Sequence, residues 1–188
     1  ANGRAVWSFW PFGFAWLRRN LYEHALFTGD REELRRILPI LRENVIFCAD
    51  KLWESDGDTQ WMPATSPENS FRSQGRAVST AGWTENTLAI VRNLFRDYVD
   101  ACEELGCTED PACVLAREHL EKIRGPKIGP DGRIQEWNEP FEETEVQHRH
   151  LSHLYALHPG RDMADYGSDY LDAARRSLLM RGDDGSGW

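Results

Sequence analysis

Apolar residues recur at helical spacing along much of the chain, beginning with Phe14 to Phe27. Gly29 follows this first stretch in the position where glycine commonly ends a helix. Asp30 is predicted to cap the next helix as part of a capping box with Glu33, and a long apolar stripe follows. Pro39 lies early in that stripe and predicts a bend or a late start of the helix, with the bend favoured.

Further helices are predicted in the second half of the chain. Apolar positions from Leu88 to Leu105 indicate a helix that Gly106 ends, and a shorter helix is predicted from Pro111 to Ile123. A final helix is predicted from Ser168 to Met180. Helical hairpins in series, joined by long loops, favour an all-α fold that forms part of an α/α toroid, with a simple bundle as the alternative.

Two stretches lack helical periodicity. Residues 56–80 are rich in Gly, Pro, Ser, Asn and Asp, which predicts a long loop with a short strand at Gln60 to Met62. Lys127 to Ile134 contains Pro-Asp-Gly and predicts a small β-hairpin. Long loops often carry functional residues, so the first of these stretches is a candidate for the site.

Length and charge exclude several classes of protein. The chain has 188 residues and a net charge of -9, which disfavours nucleic acid as a partner, and 188 residues suffice for one domain. Its longest apolar-rich stretch, Val6 to Trp16, is too short to span a membrane and contains Pro11 and Gly13. The chain opens without a methionine and closes on the glycine-rich residues 182–188, so we expect an internal fragment that is truncated at both ends.

The four cysteines show no metal-binding spacing. Cys107 and Cys113 flank a predicted turn, and whether they form a disulfide stays open. The sequence contains no phosphate-binding loop, nucleotide fingerprint or nucleophile elbow. We therefore expect no cofactor.

The segment His148 to Leu154 concentrates polar chemistry beside apolar residues. Residues His148 to Tyr155 are predicted to begin a helix, on which His150 and His153 would lie one turn apart. A zinc site is the weaker interpretation, because Arg149 places a fixed positive charge among the histidines and no cysteine is near in sequence. The guanidinium offers five fixed donors, so recognition of hydroxyls or a carboxylate is favoured, with no metal.

Glu68 lies in the predicted long loop directly after Pro67, which restricts the backbone. It is a candidate general acid for glycoside hydrolysis if aromatic residues such as Trp61 and Phe71 surround it and raise its pKa. A solvated or helix-capping carboxylate is the ordinary alternative. Glu136 competes for the acid role, whereas residues 139–145 indicate a solvated acidic edge.

Short motifs in a fixed order carry a resemblance to a known family. These motifs are Trp10-Pro11-Phe12-Gly13, Ala15-Trp16-Leu17, Glu23-His24, Leu26 to Asp30, Thr65-Ser66-Pro67-Glu68-Asn69, Gln135-Glu136-Trp137, His148 to Tyr155, His158-Pro159-Gly160 and Gly185-Ser186-Gly187-Trp188. Because of these motifs, the chain resembles glycoside hydrolase family 95, the inverting α-L-fucosidases, over nearly its whole length. The resemblance implies an (α/α)6 barrel that removes terminal α-L-fucose, typically α-1,2-linked to galactose, from fucosylated oligosaccharides or glycans.

The resemblance also implies roles for individual residues. Glu68 matches the general acid, Arg149 and His150 match sugar-binding residues, and both Trp7 and Trp10 fit a pocket tryptophan. We count Glu136 with the substrate-binding residues. The asparagine pair and the aspartate of the family's base side have no match among these 188 residues, so the chain alone is expected to be inactive.

The chain departs from the family pattern at Gly82 to Glu85, where many relatives have Pro-Thr-Met-Asp. Because of this difference, the sequence does not determine which aglycone or which sugar is preferred. Fucose and L-galactose differ by one hydroxyl, so α-L-galactosidase activity is an alternative. A second alternative is that the chain is a helical remnant that binds carbohydrate without catalysing a reaction. The compartment is not determined by the sequence, although secretion or a periplasmic location is compatible with the resemblance.

Overall fold

The computed structural model describes residues 5–55, 58–60 and 63–183. They form two compact units. The site unit takes in the described residues of segments 1–10, 61–89 and 125–188, and the helical unit comprises segments 11–60 and 90–124. Most described residues are helical, in agreement with the predicted helical fold.

The elements follow one another along the chain with short strands between the third and fourth helices. The α-helices are α1 (Ala5–Ser8), α2 (Gly13–Thr28), α3 (Arg31–Lys51), α4 (Glu85–Leu105), α5 (Pro111–Lys122) and α6 (Ser168–Arg181). The strands are β1 (Trp53–Ser55), β2 (Asp58–Gln60), β3 (Ala64–Thr65), β4 (Phe71–Ser73), β5 (Arg76–Val78) and β6 (Thr80–Ala81). Short 3-10 helices lie at Ser152–Leu154 and Asp162–Tyr166.

The boundary between α2 and α3 follows the predicted capping chemistry. Gly29 ends α2 with φ of 65°, and the Asp30 carboxylate accepts hydrogen bonds from the N–H groups of Glu32 and Glu33 at 2.9 and 3.0 Å. The Glu33 carboxylate accepts from Arg36 at 2.7 Å instead of completing a reciprocal box. Both predicted boundaries are confirmed, with Asp30 supplying the cap.

Helix α3 runs without interruption from Arg31 to Lys51 and contains Pro39 in its interior. The alternative of a late start after the proline is therefore wrong. The helix buries a continuous stripe at helical spacing, which packs in the helical unit against α2 and α5. The stripe consists of Leu34, Ile37, Leu41, Val45 and Cys48. Packing of this stripe outweighs the lost backbone donor of the proline.

The third and fourth predicted helices are confirmed as α4 and α5. Helix α4 ends before Gly106, whose φ is 73°. Asp110 caps α5 by accepting from the N–H of Ala112 at 2.8 Å, and the Tyr98 hydroxyl donates to the same carboxylate at 3.1 Å. Pro111 occupies the first turn of α5, where a proline costs no hydrogen bond.

All four cysteines lie in the described helical unit, and all are free thiols. The disulfide between Cys107 and Cys113 that the sequence left open is absent. Burial raises the pKa of Cys48 to about 12 and also raises the pKa of Cys102 and of Cys113. The buried thiols are therefore protonated and unreactive near neutral pH.

The prediction of a long loop over residues 56–80 is wrong in its detail, because this segment contains short paired strands. In the site unit β3 pairs with β6 and β4 with β5, both antiparallel. Gln74 and Gly75, with φ of 49° and 75°, make the two-residue turn between β4 and β5. Strands of two or three residues are too short to show an alternating pattern. Of the predicted strand Gln60 to Met62, Gln60 ends β2, and Trp61 and Met62 lie outside the described residues.

The predicted hairpin and final helix of the site unit are confirmed. Ile128 and Ile134 form an antiparallel bridge, and the N–H of Gly129 donates to the Arg133 carbonyl at 2.8 Å. The N–H of Ile134 donates to the Ser177 hydroxyl at 3.0 Å, which attaches the hairpin to α6.

The predicted helix at His148 to Tyr155 is wrong. Only Ser152–Leu154 forms a short 3-10 helix, and residues 148–151 before it are irregular, with a bend at Arg149. The N–H of His150 donates to the ring Nδ1 of His148 at 3.1 Å. Such a local side-chain bond competes with helical hydrogen bonding, which explains why the spacing of these residues wrongly predicted a helix.

No helix among residues 5–55, 58–60 and 63–183 is long and apolar enough to cross a membrane.

Candidate active site

The segment that carries Glu68 is held by hydrogen bonds before and after it. The Thr65 hydroxyl donates to the Phe9 carbonyl at 2.8 Å, and the Ser152 hydroxyl donates to the Pro67 carbonyl. The N–H of Asn69 donates to the Ser66 carbonyl at 2.8 Å, which closes a tight turn around Glu68. We call residues 65–70 the acid loop. Its backbone is fixed although it belongs to no helix.

Glu68, Arg149 and His150 meet in space although 81 residues separate Glu68 from Arg149. The Arg149 guanidinium donates to Glu68 Oε2, and His150 Nε2 lies 3.6 Å from the same oxygen. About a third of the Glu68 side chain and slightly more of the other two remain exposed. The structure thus brings together one carboxylate and two donor side chains at an accessible surface, and their role in binding a sugar stays a prediction.

A buried ionic cluster lies in the same unit. The Glu136 carboxylate, with 4% of its side chain exposed, accepts from Arg181 at 2.6 Å. Arg181 also donates to Glu143, and Glu143 accepts from Arg133 at 2.9 Å. We call Glu136, Glu143, Arg133 and Arg181 the anchor cluster. Direct sugar contact by Glu136 stays a prediction, because the structure engages its carboxylate with protein groups.

The anchor cluster includes a residue that sequence reasoning missed. Arg181 occupies the last turn of α6, where a basic residue is ordinary because it complements the helix dipole. Its side chain is nonetheless almost fully buried and also donates to the Val146 carbonyl at 2.6 Å. Its burial is the distinguishing property, and no local sequence signal carries it.

The histidines of the segment have different surroundings. His153 is buried, and burial together with the positive charge of Arg181 lowers its pKa to about 3. Its Nδ1 lies 3.9 Å from Glu136, too far for a hydrogen bond. Burial also lowers the pKa of His148, consistent with its unprotonated Nδ1 accepting from His150. Both rings are neutral near pH 7.

Within the described residues, no group of three or more His, Cys, Asp or Glu side chains could hold a metal ion.

The lowered pKa of His153 predicts a pH dependence of stability. Between pH 6.5, its ordinary pKa, and pH 3, the unfolded chain binds a proton that the folded chain does not. The free energy of unfolding should therefore fall with decreasing pH, by up to about 1.4 kcal/mol per pH unit from this group. Urea unfolding at pH 7, 6 and 5 measures the slope. His153→Gln should flatten it, and parallel curves for the two proteins would contradict the assignment.

The candidate aromatic residues lie in several places. Trp7, on α1, is two-thirds exposed and Trp10 is half-buried. The bond from Thr65 to the Phe9 carbonyl attaches the segment between these tryptophans to the acid loop. A role for either tryptophan in a sugar pocket stays a prediction. Phe71 is buried and stacks on Phe141 at 4.2 Å between ring centroids. Trp61, the other aromatic residue proposed to surround Glu68, lies outside the described residues.

The segment that departs from the family pattern is buried within the site unit. Trp83, Thr84 and Glu85 are at most 3% exposed. The Glu85 carboxylate accepts from the N–H of Lys127 at 3.1 Å, and the Lys127 ammonium lies 4.8 Å from the centroid of Trp83. These residues are therefore not at an exposed rim, and any effect on a pocket mouth has to be transmitted through packing.

Comparisons with known proteins show which family the sequence matches. Residues 1–188 match the glycosyl hydrolase family 95 catalytic domain. The chain is 37% identical to alpha-L-fucosidase 2 of Arabidopsis thaliana over 191 aligned residues, which cover all of this chain and 23% of that protein. It is 28% identical to a probable alpha-fucosidase A of Aspergillus oryzae over 64% of this chain and 17% of that protein. For the Aspergillus niger protein of the same name, the identity is 24% over 98% of this chain and 24% of that protein. The chain thus spans about a quarter or less of each relative.

Proposed function

This chain belongs to glycosyl hydrolase family 95, and from that membership we propose that it forms part of an exo-acting α-L-fucosidase and supplies its proton donor. The observation that supports the proposal is that Arg149 donates to Glu68 and that His150 lies beside the same carboxylate. Two donor side chains beside a carboxyl suit a site that binds sugar hydroxyls, and the carboxyl is the group there that can carry a proton to a departing oxygen.

The proposed reaction proceeds with inversion. Glu68 gives its proton to the glycosidic oxygen, the bond from that oxygen to the anomeric carbon breaks, and a water oxygen attacks that carbon from the opposite face. The water loses a proton to a base on the far side of the ring. In inverting enzymes the acid and base lie roughly 6.5 to 9.5 Å apart, which leaves room for the water.

Arg149 and His150 are proposed to orient the terminal sugar. A guanidinium has five donors in a fixed plane, so Arg149 can hold Glu68 and still donate to substrate hydroxyls. His150 Nε2 is itself buried, 3.6 Å from Glu68 Oε2, and has no hydrogen-bond partner among the described residues, so its hydrogen-bonding capacity is unused in the structure. Both side chains are at least one-third exposed.

We propose that turnover needs a longer polypeptide than these 188 residues. The chain spans 23% of the Arabidopsis relative, and the base-side residues implied by the resemblance have no match in it. An (α/α)6 barrel is the proposed architecture of the longer catalytic domain. The succession of α2 and α3, which pack against each other in the helical unit, is compatible with that architecture.

The anomeric configuration of the first product tests the proposal. The polypeptide, extended to the length of its relatives, would be incubated with an oligosaccharide that carries terminal fucose α-1,2-linked to galactose, and proton NMR would follow the released sugar. We expect β-L-fucose first and the α-anomer later, by mutarotation. Initial release of α-L-fucose would overturn inversion, and a faster reaction with the matching α-L-galactoside would overturn the sugar assignment. The unextended chain should release no fucose.

A further inference from the structure

The two residues that bracket Glu68 both bond to the same buried carboxylate. The Ser66 hydroxyl donates to Glu136 Oε1 at 2.7 Å, and the Asn69 amide donates to Glu136 Oε2 at 3.1 Å. Ser66 lies two residues before Glu68 and Asn69 one residue after it. Glu136 therefore holds the acid loop from both sides, from a position 70 residues away from Ser66.

Glu136 is itself held in place by bonds to its side chain and to its backbone. Arg181 donates to its Oε2 at 2.6 Å, and the N–H of Glu85 donates to its backbone carbonyl at 3.2 Å. The neighbouring Trp137 is 1% exposed, so the main chain at this point lies in the interior of the site unit. A buried carboxylate with three side-chain donors has little freedom to rotate, and the loop bonded to it shares that rigidity.

A second set of bonds holds the opposite side of the acid loop. Ser152 donates to the Pro67 carbonyl, and Asn86 donates to the Ser152 carbonyl at 2.9 Å. The loop is thus clamped between Glu136 and the segment that carries Arg149. Without Glu136, Ser66 would lose its side-chain bond, whereas the loop would keep the bonds through Pro67 and Thr65, the bond from Asn69 to Glu143 at 3.1 Å and the bonds between Ser70 and Thr144.

We propose that Glu136 is a positioning residue for Glu68, and that it sets the orientation of the carboxyl by holding Ser66 and Asn69. This inference rests on the proposed role of Glu68 as the proton donor. Proton transfer needs the donor within about 2.6 to 3.2 Å of the receiving oxygen, and a misplacement of about 1 Å costs on the order of 10²-fold in rate. In this assignment Glu136 acts through Ser66 and Asn69, as an alternative to the direct sugar contact predicted from the sequence.

The test compares two fucosides that differ in leaving group. In the polypeptide extended to the length of its relatives, kcat and KM would be measured for an α-L-fucoside of an alcohol and for α-L-fucosyl fluoride, which needs little acid assistance. For Glu136→Gln we expect kcat on the alkyl fucoside to fall by about 10- to 100-fold, with less than about threefold change on the fluoride and in KM. A purely structural role would lower the active fraction and slow both substrates equally.

Ser66→Ala provides a milder variant, in case the exchange at Glu136 prevents folding. It removes one hydrogen bond from the acid loop and leaves the Glu136 and Arg181 pair intact. We expect kcat on the alkyl fucoside to fall a few-fold and kcat on the fluoride to change less. Glu142→Gln is the matched control, because Glu142 has a largely exposed side chain in the same unit, and its kinetics should equal those of the parent.

The Glu68→Gln background separates this proposal from the proposed function. If Glu68→Gln slows both fucosides equally, the proton-donor assignment fails. If Glu68→Gln slows mainly the alkyl fucoside while Glu136→Gln and Ser66→Ala slow both equally or neither, the positioning role of Glu136 is overturned. With both proposals correct, adding Glu136→Gln to Glu68→Gln should change the ratio of the two rates no further.

Discussion

Glu68→Gln is expected to lower kcat on α-L-fucosides with alcohol leaving groups by about 10²- to 10⁴-fold, the usual contribution of general acid catalysis. Glutamine matches glutamate in size but has no acidic proton for the glycosidic oxygen. Fucosides whose leaving groups are stable as anions should lose much less activity. Steady-state kinetics of the extended polypeptide on both kinds of substrate measures the difference.

The fold should survive this exchange. Glu68 keeps about a third of its side chain exposed, and a partly exposed ion pair with Arg149 contributes little to stability. Circular dichroism and the midpoint of thermal unfolding should therefore match those of the parent protein. Glu142→Gln serves again as the control. Unchanged kcat on the alkyl fucoside, with correct folding, would remove Glu68 from the role of acid.

The second large effect is expected at Asp97 in the helical unit, where replacement by asparagine should lower the free energy of unfolding by about 3 to 5 kcal/mol. Asp97 is fully buried and accepts from Arg18, with Arg19 at 3.7 Å from the same oxygen. Asn93 accepts from both arginines, at 3.1 and 2.9 Å. Loss of the carboxylate would leave the Arg18 charge buried with only neutral acceptors in the described contacts, which is costly in a medium of low polarity.

Urea unfolding of the parent and the Asp97→Asn variant measures this change. The matched control is Glu103→Gln on the same helix, which breaks the pair of Glu103 with Arg117 at 3.0 Å. The two side chains of that pair are 58% and 42% exposed, so its loss should cost at most about 1 kcal/mol. Equal losses at Asp97 and Glu103 would show that burial does not set the energy of these pairs.

Local patterns in the sequence were sufficient to predict the five long helices. The apolar spacing, the cap at Asp30 and the glycines at 29 and 106 predicted helix ends that the structure confirms. Helix formation depends on residues three or four apart and on the terminal turns, so it can be deduced from short windows. The same reasoning failed for His148 to Tyr155, where a side-chain bond to the backbone replaces helical bonding.

The chemistry of the candidate site was also predicted from short motifs. The segment Thr65 to Asn69 and the segment around Arg149 indicated a carboxylate and sugar-binding donors, and their order along the chain indicated the family. Residue types and order are properties of the sequence itself. They do not state which of the two candidate carboxylates remains exposed.

Only the tertiary structure decided the arrangement of those residues. It places Arg149 on Glu68 and leaves that carboxylate partly exposed, whereas it buries Glu136 against Ser66, Asn69 and Arg181. These contacts join positions 45 to 81 residues apart, and whether a charge is buried depends on everything packed around it. The sequence by itself determined the long helices and the kinds of group available for chemistry, and the packing of the site unit determined that Glu68 is partly exposed and that Glu136 is buried against Ser66 and Asn69.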